Sequence, residues 1–445
     1  MQNSLWKKGI VIGIILLFFG ASVISNISGE TTDTKEPALL GYKGWLEEIE
    51  GVKILHLNGS YYDMGYQHGY LLKNEINANM RILFNFFEEM GFSYSTLIDS
   101  MNILIDYIPE RYMLEIQGIA DGSESSFERI CIYNILHDIA NFISCSGAIV
   151  WGSATANGEL IHLRSTDHVI FLGDPDPVTG KYLQENQVLI VRKPIDDYAS
   201  MSPMWAGRIG SWGGINEKGI GISETTCWTT DVTLHGTCAA FRMGLVLDTA
   251  DSANEAISIM NLNKTVGWNF LISDGNKSEG YVLEQTANIS YVSTWDDPVE
   301  SKNPFWSIKD ALRRSNCFLN PDCAKSQRKF YNPRNLRSIF LYLIGKHSYF
   351  CIWKHYVALS KGIENNWGSL DLVNSMTMLQ DVYKGKTDFI FFFMQKINAF
   401  LSMHQWTAYP KTGDMLICFA SKDKIASYNN VHKFNLFELL ESEPS

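Results

Sequence analysis

Residues 144–152, Ser144-Cys145-Ser146-Gly147-Ala148-Ile149-Val150-Trp151-Gly152, open a strand–turn–strand pattern that returns through Arg164-Ser165-Thr166-Asp167. Asn157-Gly158 between the two runs is a tight-hairpin signal, because both residues tolerate the positive φ that such turns require. The return strand brings an arginine and a carboxylate back beside a thiol, an arrangement suited to a nucleophile. Alternation along a strand sends residues 164 and 167 to opposite faces. Both reach Cys145 only if the strand ends near Arg164 and the chain turns at Ser165-Thr166. The position is internal. If Cys145 uses its own α-amino group as base, the chain must first cut itself between Ser144 and Cys145.

Working outward, residues 52–57 alternate like a half-buried strand, and 62–79 read as a helix with Gly65 and Gly69 on one face. A glycine inside a helix costs about 1 kcal/mol, so close approach by another backbone is the reason to place two there. More helix is predicted over 92–112 and 127–142, broken at 118–123. Beyond Cys145 the texture is strand-like over 146–153, 160–164, 188–192, 205–211 and 219–225. Two helices follow, 241–249 and 252–260, the second with Ser252 and Glu255 at capping-box spacing. Strands resume at 269–273 and 281–284, and a hairpin at 405–420 closes the chain.

Residues from about 300 to 400 read as a helical insertion. The apolar run 339–359 is interrupted by Lys346, His347 and Lys354, which favours a packed amphipathic helix over a spanning one. Residues 389–393, Phe-Ile-Phe-Phe-Phe, read as core, lid or lipid-facing surface, core being the plainer choice. This order of elements predicts one α+β domain of αββα layers, with mainly antiparallel sheets and a helical insertion.

The chain has 445 residues and a formal net charge of −11, which disfavours nucleic acid as a partner. Lys7 and Lys8, the apolar run 9–25 and small residues after it have the order of a secretory signal, placing the body outside the cell or at its surface. The expected organisation is a signal or uncleaved anchor over 1–29, a helical N-terminal segment over 30–144, and a catalytic core over 145–445. An uncleaved anchor would hold that core near a membrane. Eight cysteines form no CxxC pair and the histidines are scattered, so neither a metal nor a cofactor is expected. Cys227 with Cys238 and Cys317 with Cys323 are the nearest pairs for bridging.

Cysteine attacks as thiolate, so a site must lower its pKa or supply a base. A free α-amino group, with a pKa of about 7.7–8.0, suits that task near neutrality. Asp167 could hold the amine, and Arg164 could stabilise the thiolate. The plainer alternatives are a small buried hydrophobe for Cys145 and a solvated ion pair for Arg164 and Asp167. His68 and His404 could be imagined as a papain-like base, but the local signature is absent and structural roles fit better. No Gly-x-Ser-x-Gly, His-Glu-x-x-His or phosphate loop occurs.

Several further pieces lie in one order: Gly59-Ser60-Tyr61-Tyr62-Asp63-Met64-Gly65-Tyr66-Gln67-His68-Gly69, Gly118-Ile119-Ala120-Asp121-Gly122, Cys145-Ser146 and Trp151-Gly152-Ser153-Ala154-Thr155. They continue through His162, Gly214-Ile215-Asn216-Glu217-Lys218-Gly219-Ile220, Trp268-Asn269-Phe270-Leu271-Ile272-Ser273-Asp274 and Pro410-Lys411-Thr412-Gly413-Asp414-Met415. Together they cover most of residues 50–420 and resemble the self-processing cysteine Ntn-hydrolases of the isopenicillin N acyltransferase-like family. More distant similarity extends to penicillin V acylases, bile salt hydrolases and acid ceramidase.

The resemblance implies a four-layer αββα Ntn-hydrolase sandwich and an autoproteolytic hydrolase or acyltransferase acting on linear amides of small molecules. It implies cleavage at Ser144-Cys145, Cys145 as nucleophile with Arg164 and Asp167 beside it, and Asn269 as an oxyanion donor. Asn269 equally fits a strand-end turn residue. Ser165 stands where the family has asparagine, and Thr225-Thr226 where relatives have a second oxyanion asparagine, so those hydroxyls could substitute. Trp205, Trp212 and Trp228 fit an acyl pocket or the core. The two fragments are expected to stay associated. A phospholipase B-like hydrolase of lipid amides or esters, and a binding module that keeps the fold without catalysis, remain the alternatives.

Overall fold

The computed structural model describes residues 44–139, 144–169, 173–327, 349–398 and 400–444. The expected signal segment and residues 339–348 lie outside them. Strands β1 (Trp45–Ile49) and β2 (Val52–Gly59) lead into helices α1 (Tyr61–Leu71), α2 (Lys73–Glu89), α3 (Tyr94–Leu104), α4 (Glu110–Ser123) and α5 (Phe127–Ile139). Then come β3 (Ser144–Gly152), β4 (Gly158–Val169), β5 (Gln187–Pro194), β6 (Ser200–Trp205), β7 (Gly213–Asn216) and β8 (Ile220–Thr226). Helices α6 (Ala239–Thr249) and α7 (Ala253–Met260) precede β9 (Trp268–Asp274), β10 (Glu279–Gln285), β11 (Ser290–Ser293) and β12 (Ala311–Arg314). Helices α8 (Pro321–Lys325), α9 (Tyr349–Asn365), α10 (Leu372–Tyr383) and α11 (Phe389–Asn398) lead to β13 (Phe400–Tyr409), β14 (Asp414–Phe419), β15 (His432–Asn435) and α12 (Leu436–Glu441).

The strands form a nine-stranded sheet, β1-β2-β5-β6-β7-β8-β9-β10-β11, and a six-stranded sheet, β12-β3-β4-β13-β14-β15. Among the described strands the β2–β5 pairing is parallel and the others are antiparallel. Four layers follow from which apolar residues meet. Leu55, Ile190, Met204, Ile222 and Phe270 of the large sheet pack on Met64, Ile76, Ile119, Ile135 and Val246 of the early and middle helices. Ala148, Val150, Ile161 and Leu163 of the small sheet pack on Leu359, Met376, Leu379 and Val382 of α9 and α10. Between the sheets lie Ile54, Val191 and Ile215 against Trp406 and Ile417, and Ile149 against Leu271 and Val282. The αββα sandwich is thus the way two period-2 sheets bury both faces.

The paired glycines have the expected reason. Gly65 and Gly69 on α1 lie against the backbone of Glu115, Ile119 and Ser123 on α4, while Gly118 and Gly122 lie against Tyr62, Tyr66 and Tyr70. A Cβ at any of the four would collide with a main-chain atom of the other helix.

Several expectations change. The stretch from about 300 to 400 is not wholly helical: β12 pairs with β3 in register Arg314↔Gly147, so the small sheet takes its edge from inside it. In the N-terminal segment the strand expected over 52–57 forms as β2 and pairs with β5, and β1, which was not expected, adds an edge to the large sheet. The seven cysteines with described side chains are unbridged thiols, Cys227, Cys238, Cys317 and Cys323 among them. Trp205 and Trp212 are buried in the core between the large sheet and the helices. His68 accepts from the Gly207 N–H (2.9 Å), and His404 lies between Thr166 and Gln187, both as structural groups. The 389–393 run splits by helical alternation: Phe391 packs inside, whereas Phe389, Ile390 and Phe393 are exposed. Among the described residues no helix is long and apolar enough to cross a membrane.

Candidate active site

β3 and β4 pair with Cys145 opposite Thr166, Ser144 opposite Asp167 and Gly147 opposite Arg164. β4 does not end at Arg164; it runs on to Val169, held by β13 through Ser402↔Asp167. Strand alternation therefore applies without a turn. Cys145 and Arg164 project between the sheets, whereas Ser146, Ser165 and Asp167 project toward the α9–α10 layer.

Between the sheets, Arg164 Nη2 donates to Cys145 Sγ (3.1 Å) and to Glu224 Oε1. The thiol donates to the same Glu224 oxygen, 3.7 Å away. Cys145, Arg164 and Glu224 have relative exposures of 0, 1 and 0%. Gly213 makes room for the guanidinium, since a Cβ there would lie 2.8 Å from Arg164 Nη1. Burial works against the Arg164 charge, but Glu224 and Cys145 outweigh it and hold its pKa above the ordinary value. Burial, offset by Arg164, raises the Glu224 carboxyl. Burial and then Glu224 push the Cys145 thiol well above its usual range against the pull of Arg164. This cysteine is therefore held as a thiol, with Glu224 as the acceptor of its proton.

On the other face, Asp167 Oδ1 accepts from Ser165 Oγ (2.7 Å) and Oδ2 from the Tyr383 hydroxyl (2.6 Å). Burial pushes this carboxyl up to about 7, against the lowering effect of those two bonds. A backbone nitrogen lies in the plane of its sheet. The Cys145 nitrogen is therefore flanked by the sulfur side with Arg164 and Glu224, and by the Asp167 side.

Asn316 Oδ1 accepts the Cys145 N–H at 3.1 Å. Its amide donates to Thr226 O (2.8 Å) and Thr226 Oγ1 (3.0 Å). The expected oxyanion donors are engaged around the same turn. Asn269 Nδ2 donates to Thr225 Oγ1 (3.2 Å), Ser315 O (3.0 Å) and Cys317 O (3.0 Å), and the Thr225 hydroxyl donates to Ser315 O (3.0 Å). In the uncut chain these residues fix the 315–317 turn, and through it Asn316, rather than aiming hydrogens at the sulfur.

Of the expected residues, Cys145 and Arg164 touch, Asp167 pairs with Ser144 and projects to the opposite face, and Asn269, Thr225 and Thr226 lie one step away. Glu224, Asn316 and Tyr383 escaped the sequence reading. A carboxylate in the apolar run Ile220-Gly221-Ile222-Ser223-Glu224 was a usable signal for the first. No cluster of three or more His, Cys, Asp or Glu side chains among the described residues could hold a metal ion.

No family model matches the chain. It is 23% identical over 285 residues to an uncharacterized protein of Archaeoglobus fulgidus, covering 55% of this chain and 46% of that one. It is 25% identical over 281 residues to protein dcd1B of Dictyostelium discoideum, covering 56 and 53%. The matched region thus spans about half the length of these curated relatives. Among solved structures, similarity is found to a mutant of the conjugated bile acid hydrolase from Clostridium perfringens: TM-score 0.40, 14% identity, 66% of this chain and 93% of that one. The N-acylethanolamine-hydrolyzing acid amidase ortholog of Caenorhabditis elegans gives 0.37, 14%, 60% and 93%. The penicillin V acylase from Agrobacterium tumefaciens gives 0.40, 12%, 66% and 87%.

Proposed function

We propose that this chain is a self-cleaving cysteine hydrolase or acyltransferase of linear, non-peptide amides, whose nucleophile Cys145 becomes the first residue of a new chain. One observation carries the reading: a sulfur 3.1 Å from a buried guanidinium and 3.7 Å from a buried carboxylate, on the residue that follows Ser144, the strand partner of Asp167.

Maturation follows from these positions. The Cys145 thiol proton passes to Glu224, which burial makes a stronger base than an ordinary carboxylate. Arg164 balances the charge on sulfur, which adds to the Ser144 carbonyl carbon. As the carbon–nitrogen bond of Ser144-Cys145 breaks, the nitrogen takes the proton back from Glu224, while the ionised Asp167 on the other face stabilises the departing amine. Water then hydrolyses the Ser144 thioester and restores the thiol. The new α-amino group, with a reference pKa of about 7.7–8.0, serves as the base in the mature enzyme, and Asp167 orients it. An amide substrate then acylates the sulfur. Transfer of the acyl group to water is hydrolysis, and transfer to an amine is acyl exchange.

Export as a precursor belongs to the same reading. With 0% exposure of Cys145, the uncut chain shields its thiol, as a zymogen would. The fragments would remain together, because β2 and α1–α5 on one side of the cut pair and pack with strands on the other. Intact-mass analysis of the secreted protein tests this directly. Two fragments, the second beginning at Cys145, are expected from the wild type, and one uncut, inactive chain from Cys145→Ala. Cleavage at the same bond in the variant would refute the mechanism.

A further inference from the structure

Asp167 faces the α9–α10 layer, and its second oxygen is held by a residue 216 positions away. Tyr383, the last residue of α10, is fully buried and donates its hydroxyl proton to Asp167 Oδ2 at 2.6 Å. The tyrosine oxygen also lies 2.9 Å from His355 Nε2 on α9 and 3.1 Å from Ser146 Oγ on β3. His355 is packed face to face on Phe391 of α11, with centroids 4.3 Å apart. A side chain from each of the three helices thus converges behind one carboxylate.

Proton counting gives this network one direction. The tyrosine hydroxyl has a single hydrogen, and burial with the Asp167 charge holds its pKa well above the ordinary value, so it remains a donor. Burial drops His355 to about 3, so the ring is neutral and its Nε2–H can only support the tyrosine oxygen from behind. Ser165 completes the set, donating to Asp167 Oδ1 while accepting from Gln405 Nε2 at 3.3 Å. The ionised Asp167 accepts on both oxygens, and its strand position pairs with Ser144, the residue before Cys145.

We propose that Tyr383 is a positioning residue for the Cys145 reaction: its hydroxyl fixes the orientation of Asp167, so that self-cleavage and turnover require the α9–α11 segment to be seated. The inference rests on the function proposed above and deepens it. It assigns a segment distant in sequence a place behind the nucleophile rather than a role as an outer cover.

The charged and titratable groups around Asp167 are Arg164 on its own strand, Cys145 on β3, Glu224 on β8, His355 on α9, Tyr383 on α10 and, beyond Thr166, His404 on β13. Of these, Tyr383 and Arg164 favour the ionised carboxylate and Glu224 opposes it. Removing the Tyr383 hydroxyl withdraws one hydrogen bond from the charged form, so the Asp167 midpoint moves upward, by about one pH unit. Cleavage at pH 6 would then slow about tenfold, converging on the wild-type rate in alkali.

Two measurements on the full chain decide it. In the uncut Cys145→Ala chain, carbon-13 NMR of labelled aspartate carboxyls, with Asp167→Asn for assignment, reads the Asp167 midpoint with and without Tyr383→Phe. In the cleaving chain, intact mass against time and pH reads the cleavage midpoint. Val382→Ala loosens the same helix end without removing the bond and is expected to keep both midpoints. An unmoved Asp167 midpoint in Tyr383→Phe, or an equal shift in Val382→Ala, overturns the proposal. A wild-type chain that stays uncut at every pH overturns the maturation reading instead, and leaves the carboxyl titration to judge Tyr383 by itself.

Discussion

Replacing Glu224 by glutamine separates a working base from a structural counter-ion. The substitution keeps the size and an amide oxygen for Arg164, so the guanidinium loses its counter-charge but not every acceptor. Breaking a buried pair costs about 3–5 kcal/mol, which is the upper bound here. Two effects on cleavage then oppose each other. Loss of a positioned general base slows proton removal by about 10²–10⁴, equivalent to about 2.7–5.4 kcal/mol of barrier. Against this, Arg164 is left unopposed 3.1 Å from the sulfur, and the Glu224 charge that raises the thiol pKa is gone.

Burial, the largest cause of the raised thiol pKa, remains when the Glu224 charge is gone, so the thiol is only partly relieved and still lacks a positioned base. The loss of the base wins near neutrality. Cleavage of the Glu224→Gln chain at pH 7 is expected to slow at least a hundredfold. Its rate should then climb about tenfold per pH unit as hydroxide takes over, whereas the wild type levels off. The assay is intact mass against time from pH 5 to 10, with denaturant unfolding to verify that both chains are folded. An unchanged rate and profile in a folded Glu224→Gln chain would refute the assignment and make the carboxylate a counter-ion only.

Asn316→Ala removes the acceptor of the Cys145 N–H, leaving a buried donor at a cost of about 1–3 kcal/mol; cleavage should slow while the melting temperature falls by a few degrees. Asp167 binds its proton more tightly folded than unfolded, with a folded value of about 7 against 3.8, so the native state holds more protons between these limits and stability falls as pH rises. In the uncut Cys145→Ala chain, adding Asp167→Asn should remove up to about 1.4 kcal/mol per pH unit of that decline, read by unfolding between pH 4 and 7, and an unaltered slope would contradict it. Gly65→Ala drives a methyl into the Glu115 carbonyl of α4 and should cost at least 1–3 kcal/mol by the same unfolding measurement.

What could be read from the sequence was what local periodicity governs. Asn157-Gly158 announced the β3–β4 hairpin, and alternation placed Cys145 and Arg164 on one side of it. The glycine spacing of α1 announced a close helix partner, though not that α4 would return the same motif. The turn expected at Ser165-Thr166 does not form, because both residues are paired with β3 on one side and β13 on the other. The strand needed no turn, since the carboxylate approaches the nitrogen from the opposite face. β12 was hidden because Ala311-Leu312-Arg313-Arg314 carries two buried arginines, whose charges Glu284, Glu300 and local carbonyls satisfy only in the folded chain. Tyr383 had no local signal at all. Its role depends on how a helix 216 residues from Asp167 docks, which no window of sequence contains.

The site's polarity is costly where it stands, and that cost bears on what it is for. Arg164 Nε and Nη1 and Glu224 Oε2 have no hydrogen-bond partner among the described residues, in a space otherwise filled by Ile149, Leu271 and Trp406. A hydrophobic pair of similar volume would commonly be as stable or more so, by about 1–4 kcal/mol. Packing does not call for these charges, and the proposed reaction at Cys145 would. The same logic separates this pair from the buried Arg314, which is bound by both Glu284 and Glu300 and donates from all three guanidinium nitrogens. A saturated ion group is built to hold a strand edge in place. An undersaturated one beside a sulfur can change partners during a reaction. The two ion groups therefore predict opposite responses to apolar replacement: Arg314→Met, which strands Glu284 and Glu300, should unfold the chain at lower denaturant, and the paired change Arg164→Met with Glu224→Leu should spare or raise the unfolding midpoint while abolishing cleavage. A large loss of stability in the Arg164→Met, Glu224→Leu chain would place that pair with the structural ion groups and remove the main physical ground for reading it as a reaction centre.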